Sequence, residues 1–355
     1  MQRVLVDQKK IAQTAMDETV QAPLEPGQAR LTLESFAITA NNVTYAASGF
    51  AIGYWKFFPS YVVGQGLVPV WGVAKVTESL HDALPIGTRL YGFYPMAETL
   101  VITPKVSSRG TVTDLAEHRR ALPAVYNSYV PVGATSPEED HLRALLQPLL
   151  ATSYLLSDWL EDNAYFGAEQ ILVGSASSKT GLGLCKYLAE AENRGFQIVG
   201  LTSPGNRGFV EGLNACDQVL SYDQIEQVPH RPSVFVDMAG NAEVKARLHS
   251  HLKAQMKHSA AVGISHWDQF DPAVELEGVK PSFFFAPAQI AKRREEWGPG
   301  EIDRRIGKAF SRLAAEASNW MDVTVHQGLA ASREIYAAVA SGRVDPREGH
   351  VVRLV

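Results

Sequence analysis

Two hydrophobic rhythms divide the chain. Through roughly the first hundred residues, apolar and polar positions alternate, as in Arg30-Leu-Thr-Leu-Glu-Ser-Phe-Ala-Ile38. Short apolar runs at 67–78 and 86–102 are bounded by Gly and Pro. This pattern predicts antiparallel strands joined by turns in a barrel-like arrangement. From Asp140 onward the rhythm changes. Helical spacing over 139–160, interrupted by Pro148, gives way to short apolar runs at 170–174, 197–201, 217–220, 233–237, 259–264 and 281–285. Helices fit between these runs, for instance at 208–213 and 242–253, and such alternation predicts a parallel sheet with helices on both faces. A long charged helix is expected over 289–320, then a strand at 323–326, a helix near 332–340 and a strand at 351–355. Residues 106–139 carry little periodicity and read as a long loop with the aromatic patch Tyr126, Asn127 and Tyr129. Loops of that length are functional or disordered.

The run over 170–201 is a buried strand, a turn of small residues, an amphipathic helix and a second buried strand. Such a βαβ unit brings backbone N–H groups to a phosphate at a helix N-terminus. Its turn reads Ser175-Ala176-Ser177-Ser178-Lys179-Thr180-Gly181-Leu182-Gly183, with glycine only at the closing positions. Three readings are open. A dinucleotide turn tolerates Ser and Ala where glycine is usual, because small residues still admit a phosphate. A P-loop would use Lys179 and a downstream Asp237, but the lysine stands one residue early and Ser178 replaces the glycine before it. A plain strand–turn–helix would need the glycines for packing alone. The dinucleotide reading is preferred. After the second strand no acidic residue is placed to grip a ribose hydroxyl; Thr202, Ser203, Asn206 and Arg207 follow instead. These hydroxyl, amide and guanidinium groups suit a 2′-phosphate, hence NADPH over NADH, unless Arg207 only caps a loop in solvent.

At 355 residues, with 46% hydrophobic and 20% charged content, the chain is expected to form two globular domains. A net charge of −5 without basic blocks argues against nucleic acid as a partner. No apolar run is long enough for a membrane span and no signal core opens the sequence, so a cytoplasmic location is expected. Two cysteines, Cys185 and Cys216, cannot build a disulfide framework or a cysteine zinc site. His249 and His251 read as solvated helix residues, and no metal site is expected. Neither Tyr-x-x-x-Lys nor the Gly-x-Ser-x-Gly elbow of serine hydrolases occurs.

The chain resembles the medium-chain dehydrogenase/reductase superfamily in its zinc-independent quinone- and enoyl-reductase branch. The segments that carry this stand in the expected order: Ala40-Asn-Asn-Val-Thr-Tyr45, which looks like that branch's active-site strand, Val68-Pro-Val-Trp-Gly-Val-Ala-Lys-Val76, the turn at 174–183, Val234-Phe-Val-Asp-Met-Ala-Gly-Asn241 and Ser341–Leu354. Within the superfamily, the runs around Asn42, Ser175 and Asp237 look like a poorly characterised bacterial subfamily. The resemblance implies an α/β protein: a Rossmann-type doubly wound parallel sheet over 146–315, plus a GroES-like partly open β-barrel over 1–145 and 316–355. It also implies a homodimer and a cofactor in the cleft. Zinc-dependent relatives place a Cys and a Gly-His-Glu where this chain has residues 42–45 and Trp71-Gly72. Tyr45 falls on the motif position that would hold the catalytic donor, with Asn42 orienting the cofactor's carboxamide or the substrate; a core tyrosine is the alternative. Tyr54, Trp55, Tyr126 and Asn127 are expected to wall a pocket for a hydrophobic small molecule. The cofactor would be met by Thr152, residues 175–181, Thr202, Ser203, Asn206, Arg207, Ala239, Gly240 and Phe284. The expected activity is NADPH-dependent, metal-free reduction of an enone, quinone or enoyl thioester. The alternative is a nucleotide-binding sensor or a degenerate non-catalytic partner on the same fold.

Overall fold

A computed structural model describes residues 1–192, 194–271 and 275–355. Along the chain run β1 (Gln2–Asp7), β2 (Thr14–Glu18), β3 (Ala29–Ile38), α1 (Ala40–Ala47), β4 (Gln65–Gly66), β5 (Pro69–Ser79), β6 (Arg89–Pro95), β7 (Thr99–Ile102), β8 (Pro104–Val106), β9 (Val112–Asp114), β10 (Ser128–Pro131) and α2 (Pro137–Asp162). There follow β11 (Gln170–Gly174), α3 (Lys179–Ala189), β12 (Gln197–Thr202), α4 (Arg207–Gly212), β13 (Gln218–Ser221), β14 (Ser233–Asp237), α5 (Ala242–Leu252), β15 (Met256–Ala261), β16 (Ser282–Phe283), α6 (Ala286–Trp297) and α7 (Glu301–Ala315). The last elements are β17 (Asp322–Gln327), α8 (Ala331–Ala340) and β18 (Glu348–Arg353). The chain divides into two compact units, Met1–Leu145 with Met321–Val355, and Leu146–Trp320.

In the first unit β3 is the hub. It pairs antiparallel with β5 along its length, with β7 through its first half and with β18 through its second. The alternating side chains Leu31 and Leu33 are fully buried; a register shift between Leu33 and Ser35 then puts Phe36 and Ile38 into the core. The second unit is a six-stranded parallel sheet in the order β13-β12-β11-β14-β15-β16. Residue parity sorts its two faces. Ile171 and Val173 of β11 pack with Leu184, Cys185 and Leu188 of α3, whereas Leu172 packs with Val244, Leu248 and Leu252 of α5. The strand order reverses between β11 and β14, and ligands of open α/β sheets bind at such a switch point, at the carboxyl ends of the strands.

Several expectations are corrected. The run over 40–45, expected as a strand, is helix α1. Its start is set by Thr39, whose side chain accepts from the Asn41 N–H, while the Asn42 amide returns to the Thr39 N–H. The segment over 106–139 is no open loop: β9, β10 and short 3₁₀ turns at Glu117–Arg119 and Ala124–Asn127 order it. Pro148 lies inside α2 without ending it, because Leu149, Leu150, Leu155 and Leu156 are buried around it and outweigh its cost of about 3 kcal/mol. The helix expected over 289–320 is two helices, parted where Gly298 and Gly300 adopt φ of +83° and +88°. His249 is fully buried rather than solvated. One ring nitrogen lies 3.0 Å from the Glu277 carbonyl and the other 3.1 Å from Ser259 Oγ.

Candidate active site

In the second unit, β11 ends at Gly174 and the chain turns through Ser175, whose φ of +50° is a region where glycine is usual. Tyr222, just after β13, steadies this residue: its Oη lies 3.0 Å from both the N–H and the Oγ of Ser175. The Ala176 N–H donates to the Leu201 carbonyl at 3.0 Å, tying the turn to β12. Ser178 is the N-cap of α3, its Oγ accepting from the Gly181 N–H at 3.1 Å, so Lys179 and Thr180 open the helix rather than sit in the turn. A side chain at Gly181 would put its Cβ 2.4 Å from the Ser175 carbonyl oxygen. The closing glycine is therefore required by the close approach of helix to turn, as in dinucleotide folds.

Donors gather at the end of β12. The buried Thr202 hydroxyl donates to Ser177 Oγ at 3.0 Å, and Asn206 Nδ2 reaches the same oxygen at 3.3 Å. Ser203 opens the short turn at Pro204–Asn206. The half-exposed Arg207 guanidinium is held by Glu211 at 2.8 Å and Gln224 at 3.0 Å. Beyond β14, Asp237 Oδ1 accepts from the Ala239 and Gly240 N–H groups at 3.0 and 2.8 Å, which shapes that loop. Phe284 is buried against Trp159, and the Thr152 hydroxyl bonds its own helix at the Pro148 carbonyl. These residues fit a dinucleotide: a helix N-terminus stands over a small-residue turn whose closing position admits only glycine, with neutral and cationic donors at the end of β12.

In the first unit, α1 turns Tyr45 inward, 4% exposed. Its Oη receives Asn41 Nδ2 at 2.7 Å and Trp71 Nε1 at 3.0 Å. The ring packs on Tyr54 (centroids 4.5 Å apart), Phe93 (5.3 Å) and Tyr126 (6.4 Å), while the hydroxyls of Tyr54 and Tyr126 meet at 3.0 Å. Burial pushes the Tyr45 phenol well above its ordinary value, against the opposing effect of Trp71 and Asn41, so it stays protonated. The structure thus unites Tyr45, Tyr54 and Tyr126, joined by Phe57, Phe93 and Trp71. Asn42 is placed differently. Its Oδ1 serves the cap and its Nδ2 donates to the Pro69 carbonyl at 2.7 Å, so its amide fastens α1 to β5. Trp55 is buried against Gly66, where a Cβ would come 2.3 Å from the indole. Asn127 bonds Arg119 through both ends of its amide.

Four residues escaped sequence reasoning. Asn41 shares a helix face with Tyr45 at i, i+4, which is invisible when the run is read as a strand. Trp71 stands in the sequence only as a position where zinc relatives carry ligands, and Tyr222 and Arg119 carry no reading of their own. Arg119 is fully buried, bonded to Asp114, Asn127, Tyr129 and the Tyr126 carbonyl. Among the described residues, no group of three or more His, Cys, Asp or Glu could hold a metal ion, and no helix is long and apolar enough to cross a membrane.

The fold matches solved structures over nearly the whole chain. CurA from Vibrio vulnificus in complex with NADPH has a TM-score of 0.66 at 11% identity, covering 100% of this chain and 99% of that one. The yhdH oxidoreductase from Salmonella enterica in complex with NADP gives 0.54 at 14%, covering all of both chains. A quinone oxidoreductase from Pseudomonas syringae gives 0.60 at 12%, covering 99% of each. No curated protein matches the sequence. These likenesses establish the fold, a Rossmann-type parallel sheet together with a GroES-like barrel. Residues 36–345 match the family model described as "Protein of unknown function (DUF2855)", and the chain belongs to that family.

Proposed function

We propose that this protein is an NADPH-dependent, metal-independent oxidoreductase that reduces an activated C=C or carbonyl in a small organic molecule. The observation that carries the reading is the turn at 175–181 with its donor-lined neighbour at the end of β12. The structures of CurA and yhdH, described as complexes with NADPH and NADP, support it. Residues 146–315 would bind the nucleotide, with residues 1–145 and 316–355 serving the substrate. The first-turn amides of α3 would face the pyrophosphate, and Arg207 the 2′-phosphate. When bound, NADPH supplies a hydride to the acceptor carbon. As the acceptor's electron pair moves onto oxygen, the Tyr45 O–H donates to it, and a proton drawn finally from solvent completes the reduction. Asn42 serves by fastening α1. Metal independence rests on residues 42–45 and Trp71-Gly72 standing where zinc relatives carry ligands. A homodimer acting in the cytoplasm completes the proposal.

One observation favours the alternative of a sensor or non-catalytic partner: Tyr222 already engages the Ser175 N–H, so the turn satisfies part of its own hydrogen bonding. Nucleotide fluorescence titration with NADPH and NADH tests binding, and NADPH oxidation with enones, quinones and enoyl thioesters tests turnover. Tight NADPH binding with turnover of one class supports the reductase. Tight binding with uniform inactivity supports the sensor, and binding of neither nucleotide removes both.

A further inference from the structure

We propose that Asn41 and Trp71 are positioning residues that aim the Tyr45 O–H at a neutral carbonyl oxygen on which negative charge then builds. The inference rests on the reductase reading and names the acceptor's chemistry. A phenol oxygen offers two acceptor positions and one hydrogen. Both acceptor positions of Tyr45 are filled by groups that only donate, the amide Nδ2 of Asn41 at 2.7 Å and the indole Nε1 of Trp71 at 3.0 Å. The Tyr45 hydrogen therefore cannot turn toward either and is directed along the remaining direction. The hydroxyls of Tyr54 and Tyr126, whose rings pack on Tyr45, bond each other. Donors resting on a phenol oxygen favour the charge that accumulates there when it gives a hydrogen bond to an anion, so both make Tyr45 a stronger donor as charge builds on the acceptor than at rest.

The surroundings select the acceptor. Between positions 35 and 77 the sequence holds no Asp or Glu, and its only cations, Lys56 and Lys75, are exposed. Arg119 is spent on Asp114, Asn127 and Tyr129, and Arg143 faces the ring of Tyr91 at 5.9 Å, on which Trp71 stacks. A carboxylate at Tyr45 would bring a second charged oxygen beyond the single hydrogen that the Tyr45 hydroxyl offers, whereas a carbonyl, or the single oxyanion that forms from it, needs only that one hydrogen bond.

The test uses 4-nitrophenolate as an oxyanion probe and 4-nitrobenzoate as the carboxylate control, each titrated by absorbance into the full chain saturated with NADP. Asn41→Ala, Trp71→Phe and Tyr45→Phe are each expected to weaken nitrophenolate binding about tenfold. Asn41→Ala or Trp71→Phe combined with Tyr45→Phe should bind no more weakly than Tyr45→Phe alone, and nitrobenzoate should bind at least about tenfold more weakly than nitrophenolate to the parent. With a turned-over substrate, Asn41→Ala should lower kcat while KM holds. Additive losses in the double variants, nitrobenzoate binding as well as nitrophenolate, or no nitrophenolate binding by the parent would each overturn the inference. Trp71→Phe keeps the ring and guards against an Asn41→Ala protein that fails to fold. Because NADPH titration is read separately, failure here with nucleotide binding intact leaves the reductase reading standing.

Discussion

Removing the Tyr45 hydroxyl would leave two N–H donors, on Asn41 and Trp71, facing a ring edge. The Tyr45→Phe protein is expected to lose about 10²-fold in kcat, the usual effect of deleting one donor to a developing oxyanion, with NADPH affinity unchanged. Undiminished turnover would remove Tyr45 from the chemistry. Arg119 makes the complementary case for stability. Its guanidinium and the Asp114 carboxylate are each about 1% exposed and 2.8 Å apart. Arg119→Met would strand a buried carboxylate and should cost about 3–5 kcal/mol in denaturant unfolding. Arg119→Lys should recover little of this, since one ammonium cannot span Asn127, Tyr129 and the Tyr126 carbonyl. His249 gives a pH signature. Burial holds its imidazole below the ordinary 6.5, so the unfolded chain takes up the proton first. Stability is complete above about pH 6.5 and falls as the pH drops below it. His141, His258 and His266 shift the same way, so the check is a shallower acid slope in His249→Gln than in the parent.

Elements were legible where one period dominated. The central strands β11, β12 and β14 have apolar middles, at 171–173, 198–201 and 234–236, because both faces are covered, and these runs stand out from the sequence. Helix α1 was not legible as a helix. Eight residues are too few to show a 3.6 period, and the Thr39–Asn42 cap that starts it was read as part of a strand motif. The region over 106–139 hides its order for another reason: its anchor is a buried charge, and apolar patterning does not report charges. At the end of β12, Arg207 is held between Glu211 and Gln224. Arg207→Ala should weaken NADPH binding by about 10–100-fold and leave NADH binding nearly unaltered, a difference measured by paired fluorescence titrations. Equal loss for both nucleotides would reassign Arg207 to the loop alone.

For the molecule as a whole, the α/β class was readable because the switch from period two to alternating strands and helices falls near Asp140, close to where the compact units part. Of the candidate site, the turn was legible as a turn and its neighbours were not. The turn at 175–181 announces itself through small residues, but the groups that complete it, such as Tyr222 just beyond β13, come from elsewhere in the chain and only three dimensions bring them together.

The pairing of β18 with β3 has a consequence for how the protein is made. Ile38 and His350 are partners, yet all of the second unit lies between them in sequence. On the ribosome, the edge of β3 carrying Phe36, Ala37 and Ile38 waits, apolar and unpaired, until the parallel sheet has been synthesised. Contacts of such long range form late, whereas β11, β12 and β14 need only their near neighbours. Pulsed hydrogen exchange during refolding should therefore find the β11 and β14 amides protected before those of β18. The helix bearing Tyr45 follows directly on that waiting edge, so the unit that carries Tyr45 would be the last to mature.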